Sequence, residues 1–166
     1  MAALEAGVIA PDFSVPTLEG KQVSLSEMLL RGPVVLAFFK VSCPVCQYAF
    51  PFYERIAQAY KEAGVRVLGI SQNNATDAKR FSREYGVNFP IAIDDEANHY
   101  AVSSAYGLTN VPTLLFIAQS GVIEVSSVGW SKSEMEDVNA RLASYCNDKP
   151  SPLWRVGEEV PAFRAG

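Results

Sequence analysis

Val34-Val35-Leu36-Ala37-Phe38-Phe39-Lys40-Val41-Ser42-Cys43-Pro44-Val45-Cys46 is the stretch on which the fold turns. Its first six residues are apolar at both odd and even positions. A half-buried strand would alternate, so this run predicts a central strand covered on both faces. Lys40 ends the apolar run, and two cysteines three residues apart follow. Beyond Cys46, Tyr48, Phe52, Ile56 and Ala59-Tyr60 recur at helical spacing up to Ala63, and Gly64 supplies the stop. Pro51 falls inside that helix and predicts a kink.

Working outward, residues 7–20 carry Ala10-Pro11-Asp12, Val15-Pro16 and Glu19-Gly20, which predict an extended lead-in closed by a turn. Residues 21–25 alternate as a short strand, and Ser24 or Ser26 can cap a short helix ended by Arg31-Gly32-Pro33. Downstream, the pattern predicts a strand over 65–70, a helix over 75–85, a strand over 89–93 and a helix over 97–106. A hairpin follows, with strands over 113–118 and 122–128 around Gln119-Ser120-Gly121. The last helix covers 131–145, where Ser131 and Glu134 match a capping box. Strands and helices in this order indicate one α/β domain with a mixed central sheet flanked by helices. Residues 147–166 form a tail with Pro150, Pro152 and Pro161 whose Leu153, Trp154, Val156, Val160 and Phe163 predict packing on the domain.

Composition narrows the function classes. The 166 residues are 49% hydrophobic and 19% charged, a globular balance. A net charge of −4 and no basic stripe set nucleic acid aside as a partner. A membrane span needs ~20 apolar residues, and the strongest apolar run stops at Lys40. Met1-Ala2-Ala3-Leu4-Glu5-Ala6-Gly7 lacks the basic and apolar regions of a signal peptide. The expected location is therefore the cytoplasm, or the periplasm if a leader has been removed.

Three cysteines are too few for a disulfide scaffold in a domain of this size. A zinc site needs about four ligands. Besides the pair, Cys146 and His99 stand alone, without paired spacing, so no metal site is expected. A C-x-x-C at the start of a helix brings its sulfurs close enough to bond. The first of them sits at the helix N-terminus, where free N–H groups favour a thiolate. Pro44 suits the first turn because the N–H it lacks would have no helical partner there. Cys43 would attack a substrate disulfide, and Cys46 would resolve the mixed disulfide. Val111-Pro112-Thr113, entering a strand, is the second signal. A cis proline facing the dithiol would leave the preceding backbone groups free for a substrate chain.

Together, the strand, Cys43-Pro44-Val45-Cys46 and Gly107-Leu108-Thr109-Asn110-Val111-Pro112-Thr113 resemble the thioredoxin superfamily. Ala10-Pro11-Asp12-Phe13 and Leu18-Glu19-Gly20-Lys21-Gln22-Val23-Ser24-Leu25 resemble its AhpC/TSA-redoxin and TlpA/ResA-like branch, as does the extra segment over about 72–100. The resemblance implies a thioredoxin-like fold over 1–146, with an N-terminal extension and the strand–helix insertion of redoxins. It implies a thiol–disulfide oxidoreductase needing no metal or organic cofactor. Cys43 is then the nucleophile, Cys46 the resolving thiol and Pro112 the cis proline, with Pro44, Val45 and Val111 completing the substrate-binding face. Partners would be protein thiols or disulfides and an electron donor or acceptor redox protein.

The sequence also departs from the family pattern. Ser42 stands where thioredoxins carry tryptophan, and the Cys-Pro-x-Cys order is more like glutaredoxins and periplasmic disulfide oxidants. Ala37 and Ala49 stand where relatives place a buried acid, so proton transfer needs another group or water. A thiol peroxidase is the alternative, but the Pro-x-x-x-Thr-x-x-Cys motif of peroxiredoxins fails: Lys40 and Leu36 occupy its threonine and proline positions. A non-catalytic peptide-binding module is the other alternative. Lys40 is expected to extend to solvent, Cys146 to be a small buried hydrophobe and His99, on the helix over 97–106, to take a surface or capping role. Trp154 is expected to cover the dithiol in place of the missing tryptophan.

Overall fold

The computed structural model describes residues 3–166; Met1 and Ala2, the start of the leader reading, lie outside the described residues. Strand β1 (Ser14–Pro16) and strand β2 (Gln22–Ser24) form an antiparallel ribbon. Helix α1 (Leu25–Leu29) follows, capped by the Ser24 hydroxyl, which accepts from the Glu27 N–H at 3.2 Å. The main sheet holds β3 (Val34–Phe39), β4 (Arg66–Ser71), β5 (Ile91–Ile93), β6 (Thr113–Ile117) and β7 (Ile123–Val128). Their order is β5-β4-β3-β6-β7. β3, β4 and β5 run parallel, while β6 runs antiparallel to both β3 and β7.

The continuous apolar run of β3 has a direct cause. Val35, Ala37 and Phe39 enter one core; Val34, Leu36 and Phe38 enter another on the opposite face. Helix α2 (Pro44–Ala59), helix α3 (Ala75–Glu84) and helix α5 (Lys132–Tyr145) cover the first face. Phe50 of α2 lies 4.4 Å from Phe39 and 5.3 Å from Phe81, ring centre to ring centre. Helix α1 and helix α4 (Ala101–Ala105) cover the second face through Leu25, Val102 and Tyr106, which follows α4. Among the described residues, no helix is long and apolar enough to cross a membrane.

Several expectations change in detail. Pro51 lies inside α2 without ending it; the helix stops at Ala59, and a separate 3-10 turn over Lys61–Ala63 precedes Gly64, at φ +79. The helix expected over 97–106 is split. A 3-10 turn over Glu96–Asn98 leads to His99 and Tyr100, both left-handed, and α4 starts only at Ala101. The cause is Asp94. Its buried carboxylate accepts from the Val102 N–H at 3.0 Å and the Ser103 N–H at 2.7 Å, starting a new helix there. His99 is exposed and ends the 3-10 turn as its C-cap, a surface and capping position as expected, though on a single turn and not on a longer helix. At α5, the Ser131 hydroxyl accepts from the Glu134 N–H, one arm of the capping box.

The tail runs back across α2 and α5. Leu153 is buried, and the Ser151 carbonyl accepts from Asn139 Nδ2 at 2.7 Å. The Arg55 guanidinium grips Glu158 with two bonds of 2.7 Å each. Strand β8 (Trp130–Ser131) then pairs antiparallel with β9 (Phe163–Arg164).

Candidate active site

The end of β3 delivers the chain to the N-terminus of α2, and the loop between them is pinned on both sides. The Val41 N–H donates to Asn73 Oδ1 at 2.9 Å, and the Val41 carbonyl accepts from Gln47 Nε2 at 2.9 Å. Asn73 follows β4, and Gln47 sits on α2, so sheet and helix hold the loop jointly. Neither residue stands out in the sequence, because a single polar residue after a strand carries no periodic signal.

Cys43 is the N-cap of α2. Its sulfur accepts from the Cys46 N–H at 3.2 Å, and Pro44 occupies the first turn. The sulfur thus stands at the N-terminal end of a 16-residue helix with a backbone N–H aimed at it. The Cys43 thiol also reaches across to the carbonyl of Val111, 3.4 Å away. The Val111-Pro112 bond is cis, and buried Pro112 is held by the Gly129 N–H, which donates to its carbonyl at 2.8 Å.

The two sulfurs have different surroundings. Cys43 is half-buried and Cys46 is completely buried. Burial first, and then the hydrogen bond with Cys43, push the Cys46 thiol far above the ordinary thiol range. An accessible sulfur at the helix end therefore sits beside one that stays protonated and protected. Tyr53, two turns along α2 from Cys46, is buried as well. Its phenol is pushed up by burial first, then by the two cysteines and Glu134. Glu134 has a buried carboxylate oxygen with no hydrogen-bond partner among the described residues. It is an acid in the electrostatic neighbourhood of this helix face that the sequence pattern assigns only to a cap.

The structure gathers Cys43, Cys46, Val111 and Pro112 into one site. Pro44 is exposed beside them, and Val45 is half-buried against the core. A cavity of about 620 Å³ opens next to Cys43, lined by Lys40, Gln72, Tyr100, Asn110, Val111 and Gly166, among others. Lys40 is exposed at its rim. Cys146 is half-buried at the end of α5, packed against the core, and His99 is not among the residues lining the cavity.

Trp154 is placed differently from the expectation. It packs on Phe52 at 5.6 Å and on Trp130 at 6.1 Å, and its indole donates to Glu136. It covers the flank of α2 instead of the dithiol, because the Arg55–Glu158 clamp and the bond from Arg55 to the Leu153 carbonyl hold that part of the tail against mid-helix. The part of the tail that reaches the cavity is its last stretch, ending at Gly166.

Comparison with known proteins agrees with this geometry. Residues 6–126 match the AhpC/TSA family. The thiol-disulfide oxidoreductase ResA of Halalkalibacterium halodurans is 34% identical over 134 residues, covering 80% of this chain and 74% of that protein. A crystal structure from Chlorobium tepidum, described as a candidate thiol:disulfide interchange protein DsbE, superposes with a TM-score of 0.75 at 26% identity, covering 86% of this chain and 99% of that one. A candidate protein disulfide isomerase from Bacteroides thetaiotaomicron superposes at 0.79 with 23% identity over 89% of this chain and 96% of that one, a likeness of fold alone. With the dithiol standing at the N-terminus of α2 beside the Val111 carbonyl, the chain belongs to the AhpC/TSA family and is a thiol–disulfide oxidoreductase of thioredoxin-like fold, related to ResA.

Proposed function

We propose that the protein exchanges disulfides with protein substrates through Cys43 and Cys46, with Cys43 as nucleophile and Cys46 as resolving thiol. The observation that carries the assignment is the asymmetry of the pair: Cys43 accessible and facing a backbone N–H, Cys46 buried and held protonated. The Cys43 thiolate attacks one sulfur of a substrate disulfide; that bond breaks, and the departing substrate sulfur takes up a proton. Cys46 then loses its proton and attacks Cys43, which releases the second substrate thiol and leaves a Cys43–Cys46 disulfide. The substrate gains two electrons and two protons, and a dithiol redox protein returns them to the pair. In the opposite direction the disulfide passes to the substrate. The Val111 carbonyl, beside the Cys43 sulfur, is where the substrate backbone docks, with Pro44, Val45 and Pro112 framing it.

Insulin reduction with dithiothreitol tests this. The wild type should accelerate precipitation of the insulin chains, and Cys43→Ser should remove the acceleration. Equal rates would sink the assignment. The reduction potential gives direction: a value near roughly −270 mV marks a reductant and one near about −120 mV an oxidant.

A further inference from the structure

The last residues of the tail run past the Val111 carbonyl, the group proposed above to receive a substrate backbone. β9 pairs with β8, with Trp130 opposite Arg164 and Ser131 opposite Phe163. The strand is anchored before that pairing: the Trp130 indole donates to the Pro161 carbonyl at 2.9 Å, and the Lys132 N–H donates to the Ala162 carbonyl at 3.0 Å. The Arg164 guanidinium stacks 4.3 Å from the centre of the Tyr48 ring, on the first turns of α2. Beyond Arg164 the chain crosses the Val111 loop. Asn110 Nδ2 donates to the Gly166 oxygen at 3.2 Å, and Gly166 shares the cavity with Cys43.

The approach is too close for side chains. A Cβ on Gly166 would collide with the carbonyl oxygen of Val111, the group that faces the Cys43 sulfur. A Cβ on Gly129 would stand 2.5 Å from the Arg164 carbonyl oxygen, and Gly129 has φ +78. Two glycines thus let the tail backbone lie against the loop. Phe163 and Arg164 remain exposed outward, so little apolar burial holds the strand down. Backbone pairing, one stacked cation and one hydrogen bond from the Asn110 side-chain amide hold it instead, as in peptides that add a strand to a sheet edge.

We propose that residues 163–166 are an internal occupant of the substrate edge, and that a protein substrate docks by displacing them. The proposal rests on the disulfide-exchange reading for its consequence, and on geometry alone for the occupancy. The incoming segment is extended and carries a small residue where Gly166 meets Val111. A small disulfide needs no such edge and reaches Cys43 through the open cavity.

The test compares three chains in a Cys146→Ser background: the otherwise unchanged chain, a deletion of residues 163–166, and Gly166→Ala. The last removes no core contact and should lift the strand by steric collision alone. Insulin reduction should rise about tenfold in both variants, the ratio given by release of ~1.4 kcal/mol of contact. Reduction of bis(2-hydroxyethyl) disulfide should stay within about twofold, since the cavity already admits it with the tail in place. Labelling of Cys43 by a polyethylene-glycol maleimide, relative to iodoacetamide, should rise in parallel. Insulin rates that fall or do not move, with an unchanged labelling ratio, would overturn the proposal and make the tail a fixed wall. If the unchanged chain and its Cys43→Ser variant reduce insulin equally, the exchange reading fails, while the labelling ratio still decides whether the tail occupies the edge.

Discussion

Buried Cys46 makes the stability of the reduced protein fall with pH in a way one substitution can isolate. The Cys46 side chain is fully buried, and burial is the first cause of its raised ionisation, followed by the bond to Cys43. In the unfolded chain the thiol ionises near roughly pH 8.5. A group whose folded value is raised contributes its full stability below the unfolded value and loses it as pH rises. While the native thiol stays protonated, the loss is about 0.2 kcal/mol at pH 8 and about 2 kcal/mol at pH 10. Cys46→Ala has no such group. Urea unfolding of the reduced wild type and the variant at the two pH values reads the difference directly. Tyr53 and Tyr106 are raised first by burial, which both chains share, and Cys46 adds no charge beside Tyr53 while it stays protonated, so both tyrosines cancel in the comparison. The alanine chain carries its own constant cost from lost packing, which also cancels. The wild type should lose roughly 2 kcal/mol more than Cys46→Ala between pH 8 and pH 10. Parallel losses, within about 0.5 kcal/mol, would refute the claim that Cys46 is held protonated by burial.

Other consequences follow from particular contacts. Phe50→Ala removes a fully buried ring packed at a tilt against Phe39, and should cost about 3–5 kcal/mol in urea unfolding. Asn73→Ala leaves the Val41 N–H without its partner; it should cost about 1–2 kcal/mol and slow Cys43 alkylation through a loosened loop. The Arg55 fork pulls the Glu158 carboxyl down to about 2, so its contribution is present above the usual carboxylate range and is lost as pH falls toward 2. Tryptophan fluorescence of the tail should therefore show an acid step that Arg55→Ala abolishes.

Much of this architecture is legible in the sequence where its cause is local. The apolar run of β3 is continuous because both faces are covered, and the helical spacing after Cys46 follows the core side of α2. The dithiol and the proline before β6 are legible as residue types in order, and the antiparallel β3–β6 pairing sets the Cys43 sulfur 3.4 Å from the carbonyl of Val111, the residue before that proline. What is not legible depends on distant partners. The break at His99 and Tyr100 comes from Asp94 reaching forward to cap α4, and two successive left-handed residues have no pattern of their own. The path of the tail is set by the fork between Arg55 and Glu158 and by a two-residue strand, too short to show alternation. Those contacts place Trp154 on Phe52, and Gly166, a residue without a side chain to notice, in the cavity beside Cys43.

The central claim is that Cys43 forms the bond to substrate and Cys46 breaks it. Its most direct test is mass spectrometry of Cys46→Ala after incubation with an excess of insulin. The account predicts a stable adduct of one insulin chain that maps to Cys43, is released by dithiothreitol, and is absent from Cys43→Ser. No adduct, or an adduct that maps to Cys146 and persists in Cys43→Ser, would contradict it.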